Sequence, residues 1–213
     1  MTQRFIHLRS IAVIALGYLV GVASYPYIPG AAIDQMRGAR AQIAFSLPTT
    51  ILVIYLLFRS LWHHDRVRTG NGAFEATYQA IVFRVMLFVF AMNALLMIAL
   101  TDAMDVFGSH TWGKRVVVVM LGLTFVAIGN LLPRTRPNIA LGIRTARTLA
   151  NTQLWQQVHR AIGYTTVAFG AVLLVAAFLV TNKTAGGFVM LAGAVAATIM
   201  VVSYRRYASG SRA

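Results

Sequence analysis

Between residues 129 and 160 the chain reads GNLLPRTRPNIALGIRTARTLANTQLWQQVHR, its longest polar connection. The basic groups in it are all arginines, among them Arg144, Arg147 and Arg160. A guanidinium offers a planar fork of donors suited to two-point recognition of a carboxylate or phosphate. Asn130, Asn138 and His159 both donate and accept hydrogen bonds, and can hold the shape of such a loop. Pro133 and Pro137 stiffen the exit from the preceding helix, and Gly142 permits a turn or a close backbone approach. Asn151 suits a helix N-cap. Beyond it Leu154, Trp155, Val158 and Ile162 fall on one apolar face, so the new helix either lies on the membrane surface or runs straight into the next crossing. Trp155 is expected in the interfacial belt, anchoring the loop there. The competing reading is a linker whose arginines serve topology alone, but such a linker has no need of Asn130, Asn138, Gly142 or His159.

Other chemistry finds little to build on. No His-Glu-x-x-His pair is present to hold zinc, and no glycine-rich phosphate loop. Ser109 and His110 are neighbours in sequence, not a nucleophile and base positioned by a fold. His63, His64 and Asp65 are adjacent and do not share a helix face. Met86, Met92 and Met97 read as apolar filling. With no cysteine there is no thiolate nucleophile or thiolate metal site. No catalytic residue, metal ligand or cofactor is therefore assigned, and the chain is not read as an enzyme. Asp34, Asp65 and Glu75 fall in loops and Asp102 and Asp105 at a helix end, so a carrier driven by buried carboxylates is disfavoured.

The elements that position the loop are membrane helices. Apolar residues make up 58% of the 213 and charged residues 11%, against about 25% charged in an ordinary soluble domain. Six apolar stretches, roughly 10–25, 41–61, 79–101, 116–132, 160–181 and 185–204, are each close to the length needed to cross a bilayer. The fold expected is an all-α integral membrane protein with six transmembrane helices, a single polytopic domain over 1–213. Asn182-Lys183-Thr184 would close a tight hairpin between the last two. Thirteen of the 19 Lys+Arg fall on the side of the termini, including Arg59, Arg134, Arg136, Arg205 and Arg206, and five on the other: Arg37, Arg40, Lys114, Arg115 and Lys183. The positive-inside rule then places both termini in the cytoplasm. The net charge of +14 belongs to this topology and to lipid headgroups, with no motif for direct nucleic acid binding beside it.

Within the helices, Arg84 is expected to snorkel to the headgroups and Asn93 to bond a neighbouring helix. Pro48 should kink the second helix, its freed carbonyl met by the hydroxyls of Ser46, Thr49 or Thr50, or by water. Arg4 and Arg9 ahead of the run from Ile11 to Val20 resemble a secretory signal, here read as an uncleaved first helix. Thr166 with Gly170, and Gly193 with Ala197, allow close helix packing, within the chain or in a homo-oligomer.

The 129–160 stretch resembles the signature of the SdpI family of bacterial membrane proteins. The resemblance rests on Gly129, Asn130, Pro133, Pro137, Asn138, Gly142, Ile143, Arg144, Thr145, Thr148, Leu149, Trp155, His159 and Arg160. The family pattern carries a tryptophan before Thr148, where this chain has Arg147. The segment Tyr25-Pro26-Tyr27-Ile28-Pro29-Gly30 only loosely resembles the domain that often precedes the signature. The resemblance implies a multi-pass protein of the bacterial cytoplasmic (inner) membrane that gives immunity to, or senses, a membrane-active peptide toxin. It also implies a cytoplasmic regulator as a partner. The alternative, resting on the six-helix scaffold with Arg84, Asn93 and Pro48, is a small transporter of a lipid or amphiphile.

Overall fold

The computed structural model describes residues 2–28, 39–69, 75–100, 110–139, 141–179 and 185–210. The readings that involve Asp34, Arg37, Asp102, Asp105, Ser109 and the turn at 182–184 lie outside them, as do the side chains of Asp65, Glu75, His110 and Lys114. Among the described residues seven helices follow in order: α1 Thr2–Ser24, α2 Ala39–Thr69, α3 Glu75–Leu100, α4 His110–Gly129, α5 Ala146–Ala150, α6 Thr152–Leu179 and α7 Ala185–Gly210. Short 3-10 turns occupy Tyr25–Tyr27 and Leu132–Arg134, each with proline near its start. No strand occurs among the described residues.

Among the described residues, five segments are long and apolar enough to cross a membrane: Leu8–Tyr27, Arg40–His64, Ala76–Ile98, Arg115–Arg134 and Thr152–Leu179. They coincide with the first five apolar stretches of the sequence. The fifth begins eight residues earlier than expected, because the helix capped at Asn151 continues without a break into the crossing. Residues 185–204, expected as a sixth crossing, lie in helix α7, which is not among these five.

Within the 1–213 span read as one polytopic domain, two compact units form: residues 1–59 with 85–117, and residues 60–84 with 118–213. In the first unit, Ile28, Ala44 and Met97 make a buried cluster joined by Val20, Ile43 and Phe45. Pro48 lies inside α2, which continues as helix through it. Having no N–H, Pro48 leaves the Ala44 carbonyl without its helical donor. That carbonyl faces Gly21 of α1, so closely that a Cβ there would stand 2.5 Å from its oxygen. The neighbouring hydroxyls are engaged elsewhere: Thr50 donates to the Ser46 carbonyl at 2.8 Å and Thr49 pairs with Tyr18 at 3.0 Å. The freed carbonyl thus faces the backbone of Gly21, where only a residue without a side chain leaves it room.

Asn93 is fully buried on α3. Its Nδ2 donates to the Gly17 carbonyl of α1 at 3.4 Å, the bond to a neighbouring helix foreseen for it, while Oδ1 has no partner. In the second unit, Arg84 turns back one helical turn to donate to the Ala80 carbonyl at 3.1 Å. Side chains on a helix lean toward its N-terminus, and this reach follows that direction.

Candidate functional site: the clasped loop between α4 and α6

Two glycine pairs bring α4 and α6 together. A Cβ on Gly129 would lie 2.9 Å from the Gly163 carbonyl oxygen, and one on Gly122 would lie 2.9 Å from that of Gly170. Side chains at these positions would force the backbones apart. The edge-on pair of Phe125 and Phe169, centroids 4.9 Å apart, fills the space between.

From Gly129 the chain turns sharply. Asn130 N–H donates to the Val126 carbonyl and Leu131 N–H to that of Ile128. Pro133 then packs on α6, 2.8 Å from where a Gly163 Cβ would stand. Thr135 closes the 3-10 turn, donating to the Leu132 carbonyl through its N–H at 3.1 Å and its hydroxyl at 2.7 Å. Asn138 forms the next corner. Its Nδ2 donates to the Arg136 carbonyl and its Oδ1 accepts from Leu141 N–H, both at 2.7 Å. This side-chain imitation of a backbone turn is what asparagine supplies between rigid neighbours such as Pro137 and Gly142.

Gly142 has φ +88°, a left-handed conformation that disfavours any Cβ. A Cβ there would also collide with His159 Nε2. Because the position is open, the next residue, Ile143, donates its N–H to His159 Nε2 at 3.2 Å. The other ring nitrogen, Nδ1, lies 2.9 Å from the Trp155 carbonyl. An imidazole that accepts at Nε2 and meets a carbonyl at Nδ1 is neutral, with its proton on Nδ1.

Trp155 stacks on this ring one turn earlier in α6, centroids 3.9 Å apart and planes 13° off parallel. Its Nε1–H is shared between the Thr135 carbonyl at 3.1 Å and hydroxyl at 3.2 Å. Both rings are 0% exposed. The expectation that Trp155 anchors the loop in the interfacial belt is therefore corrected. The 133–135 turn folds back over the start of α6 and buries the indole, whose polar edge finds its partner in Thr135.

A second knot lies at α5. Thr145 caps the helix: its hydroxyl accepts from Thr148 N–H at 3.2 Å, and Thr148 Oγ1 accepts from Thr145 N–H at 2.9 Å. Thr148 also donates to the Ile143 carbonyl at 2.8 Å. Tyr204, on α7, donates its hydroxyl to Thr145 Oγ1 at 3.2 Å. Asn151 then caps α6, accepting from Leu154 N–H at 3.0 Å. Beneath, Leu154, Val158 and Ile162 form a buried cluster with Leu132, Ile143, Met200, Tyr204 and Tyr207 around it. Leu154, Trp155, Val158 and Ile162 are all buried in α6, so the apolar face faces protein instead of lying flat on lipid.

The candidate residues thus divide by role, with Asn138, Trp155 and His159 buried among those that hold the loop. Pro133, Asn138, Gly142, Thr145, Trp155 and His159 build the clasp. Arg134, Arg136, Arg144, Arg147 and Arg160 are exposed around it, as is Asn130. Arg144 donates across the loop to the Ile139 carbonyl, and Arg147 reaches the Ala208 carbonyl of α7 at 3.4 Å. Asn130 does not share the buried, loop-holding position of Asn138 and His159, since it is exposed. The roles of Thr135, Thr148 and Tyr204 were missed in the sequence. The spacing of Thr145 and Thr148, three apart before a helix, is a capping signal that could have shown part of the knot.

Several apolar helices of crossing length and a folded polar connection define a multi-pass α-helical membrane protein. The model of the SdpI/YfhL protein family matches residues 134–204, from the arginine that closes the 3-10 turn to Tyr204 on α7. The match covers a third of the chain, and that third contains nearly the whole clasp. No curated protein and no solved structure matches the chain.

Proposed function

We propose that this is an SdpI-type protein of the bacterial cytoplasmic membrane that gives immunity to, or senses, a membrane-active peptide toxin. On this reading it crosses six times with both termini in the cytoplasm, and the 129–160 loop is its working surface there. Arg144, at the loop's exposed rim, engages an acidic group of the partner, while the buried clasp holds it in place. The chain acts by binding and not by catalysis, and its partners are the bilayer, the peptide and a cytoplasmic regulator. It makes no direct nucleic acid contact, and α7 offers small residues for a homo-oligomer.

The observation that carries the reading is the ordering of the loop. A linker rich in arginine for topology alone has no use for two buried rings, an αL glycine and two side-chain caps. The test is survival of a sensitive bacterium against a panel of membrane-active peptides, with and without the protein. Protection is expected, and it should be lost in an Arg144→Ala variant inserted to the same level. Equal protection by that variant would remove the loop from the mechanism, and no protection by either would remove the immunity reading.

A second reading, a transporter of a lipid or amphiphile, draws on the unpartnered Oδ1 of Asn93 in α3. Solute flux into liposomes that falls in an Arg84→Gln, Asn93→Leu double variant would favour it over immunity.

A further inference from the structure

The exposed face of α6 changes character along its length. Toward its C-terminal end, Val172, Val175 and Phe178 are exposed, the last two at 57% and 63%. One side of the same helix then shows Tyr164, 68% exposed, and Arg160 one turn earlier. An apolar face that ends in tyrosine and then arginine is the pattern of a helix leaving the hydrocarbon layer at the headgroups. This pattern points to the headgroup level near Arg160 and Tyr164, within the Thr152–Leu179 segment.

A second guanidinium belongs to the same place. Pro133 lies against Gly163, and Arg134 follows it, exposed. Arg160 is about 60° round the helix from Gly163 at 100° per residue, so it flanks the face on which the 3-10 turn rests. No Asp or Glu follows Asp105 in the sequence, so no carboxylate in that half of the chain balances these charges. Asp65 and Glu75 in the 60–84 segment are outside the described side chains.

We propose that Arg160 and Arg134, with Tyr164 one turn deeper, bind the phosphodiester of an anionic phospholipid. Paired guanidinium N–H groups match two phosphate oxygens. A lipid with net negative charge supplies the counter-charge, which a zwitterionic one does not. The Tyr164 ring lies at the glycerol level, and an acyl chain runs along Val172 and Val175. The site goes beyond the immunity reading and does not depend on it, since it uses neither Arg144 nor a peptide.

The test uses the full-length protein in phosphatidylcholine vesicles carrying a trace of spin-labelled phosphatidylglycerol or spin-labelled phosphatidylcholine. The motionally restricted fraction of each label gives the selectivity. Phosphatidylglycerol should be preferred about fivefold, the value of roughly one surface arginine. An Arg134→Gln, Arg160→Gln variant of unchanged helicity should lose the preference, and Arg40→Gln should keep it. A photoactivatable phosphatidylglycerol crosslinked to the unaltered protein should mark peptides containing residues 134 and 160–164, whatever the folding of the variant. Equal association of both labels, a preference that survives the double substitution, or crosslinks confined to other segments would each overturn the proposal. So would capture of an acidic peptide through Arg160 without lipid selectivity.

Discussion

The two compact units solve the same problem differently. Each buries polar side chains between closely approaching helices, with glycine admitting the contact. In the 1–59/85–117 unit, Asn93 makes one long bond and leaves its Oδ1 without a donor. In the other unit, His159 uses both ring nitrogens, Trp155 shares its one donor between two acceptors, and Asn138 engages both ends of its amide. A satisfied polar network specifies one conformation, because breaking any bond leaves a buried partner stranded. The loop between α4 and α6 is thus built to have one shape, and the first unit's packing tolerates approximation.

That contrast orders the consequences of substitution. Gly142→Ala should be the most damaging. It places a methyl in a left-handed backbone, costing about 1–2 kcal/mol, and drives the buried His159 off the Ile143 N–H, leaving its Nε2 without a donor for about 1–3 kcal/mol more. Thermal unfolding in detergent should show a clear loss of stability, and limited proteolysis should cut between 136 and 151. A variant as stable and protease-resistant as the parent would break the comparison at its strongest point.

Trp155→Phe keeps one ring against His159 and removes the donor to Thr135 together with part of the buried indole volume. It should cost about 1–3 kcal/mol, read by the same unfolding experiment, with α6 helicity unchanged. Asn93→Leu, in the other unit, has similar volume and removes the unpartnered oxygen with the amide. It should change stability by less than about 1 kcal/mol, in either direction. If it cost as much as Trp155→Phe, the two units would be equally demanding and the contrast would fail. Arg144→Ala should be the mildest, within about 0.5 kcal/mol as for exposed positions generally, even though the proposed function assigns it the partner contact.

Much of this was legible from residue type. Five of the six crossings expected from hydrophobic blocks coincide with segments of crossing length, Gly142 announced its turn, and Asn151 its cap, because each depends on local chemistry. Trp155 was misplaced because its fate depends on Thr135, twenty residues earlier, folding back across α6. Tryptophan at a membrane-proximal helix start otherwise favours the interface. Asn130 and Asn138 look alike in sequence, yet only the second meets free backbone groups at the right separation. Arg147 was read as facing a partner, but it also reaches the Ala208 carbonyl, a contact 61 residues away that no local pattern signals.

The central claim is that an ordered loop presents Arg144 to the cytoplasm. Because the chain has no cysteine, Arg144→Cys introduces a single reporter. A membrane-impermeant maleimide should leave it unlabelled in intact cells and label it rapidly in inverted membrane vesicles. Labelling in intact cells would put the loop on the opposite side and contradict the account.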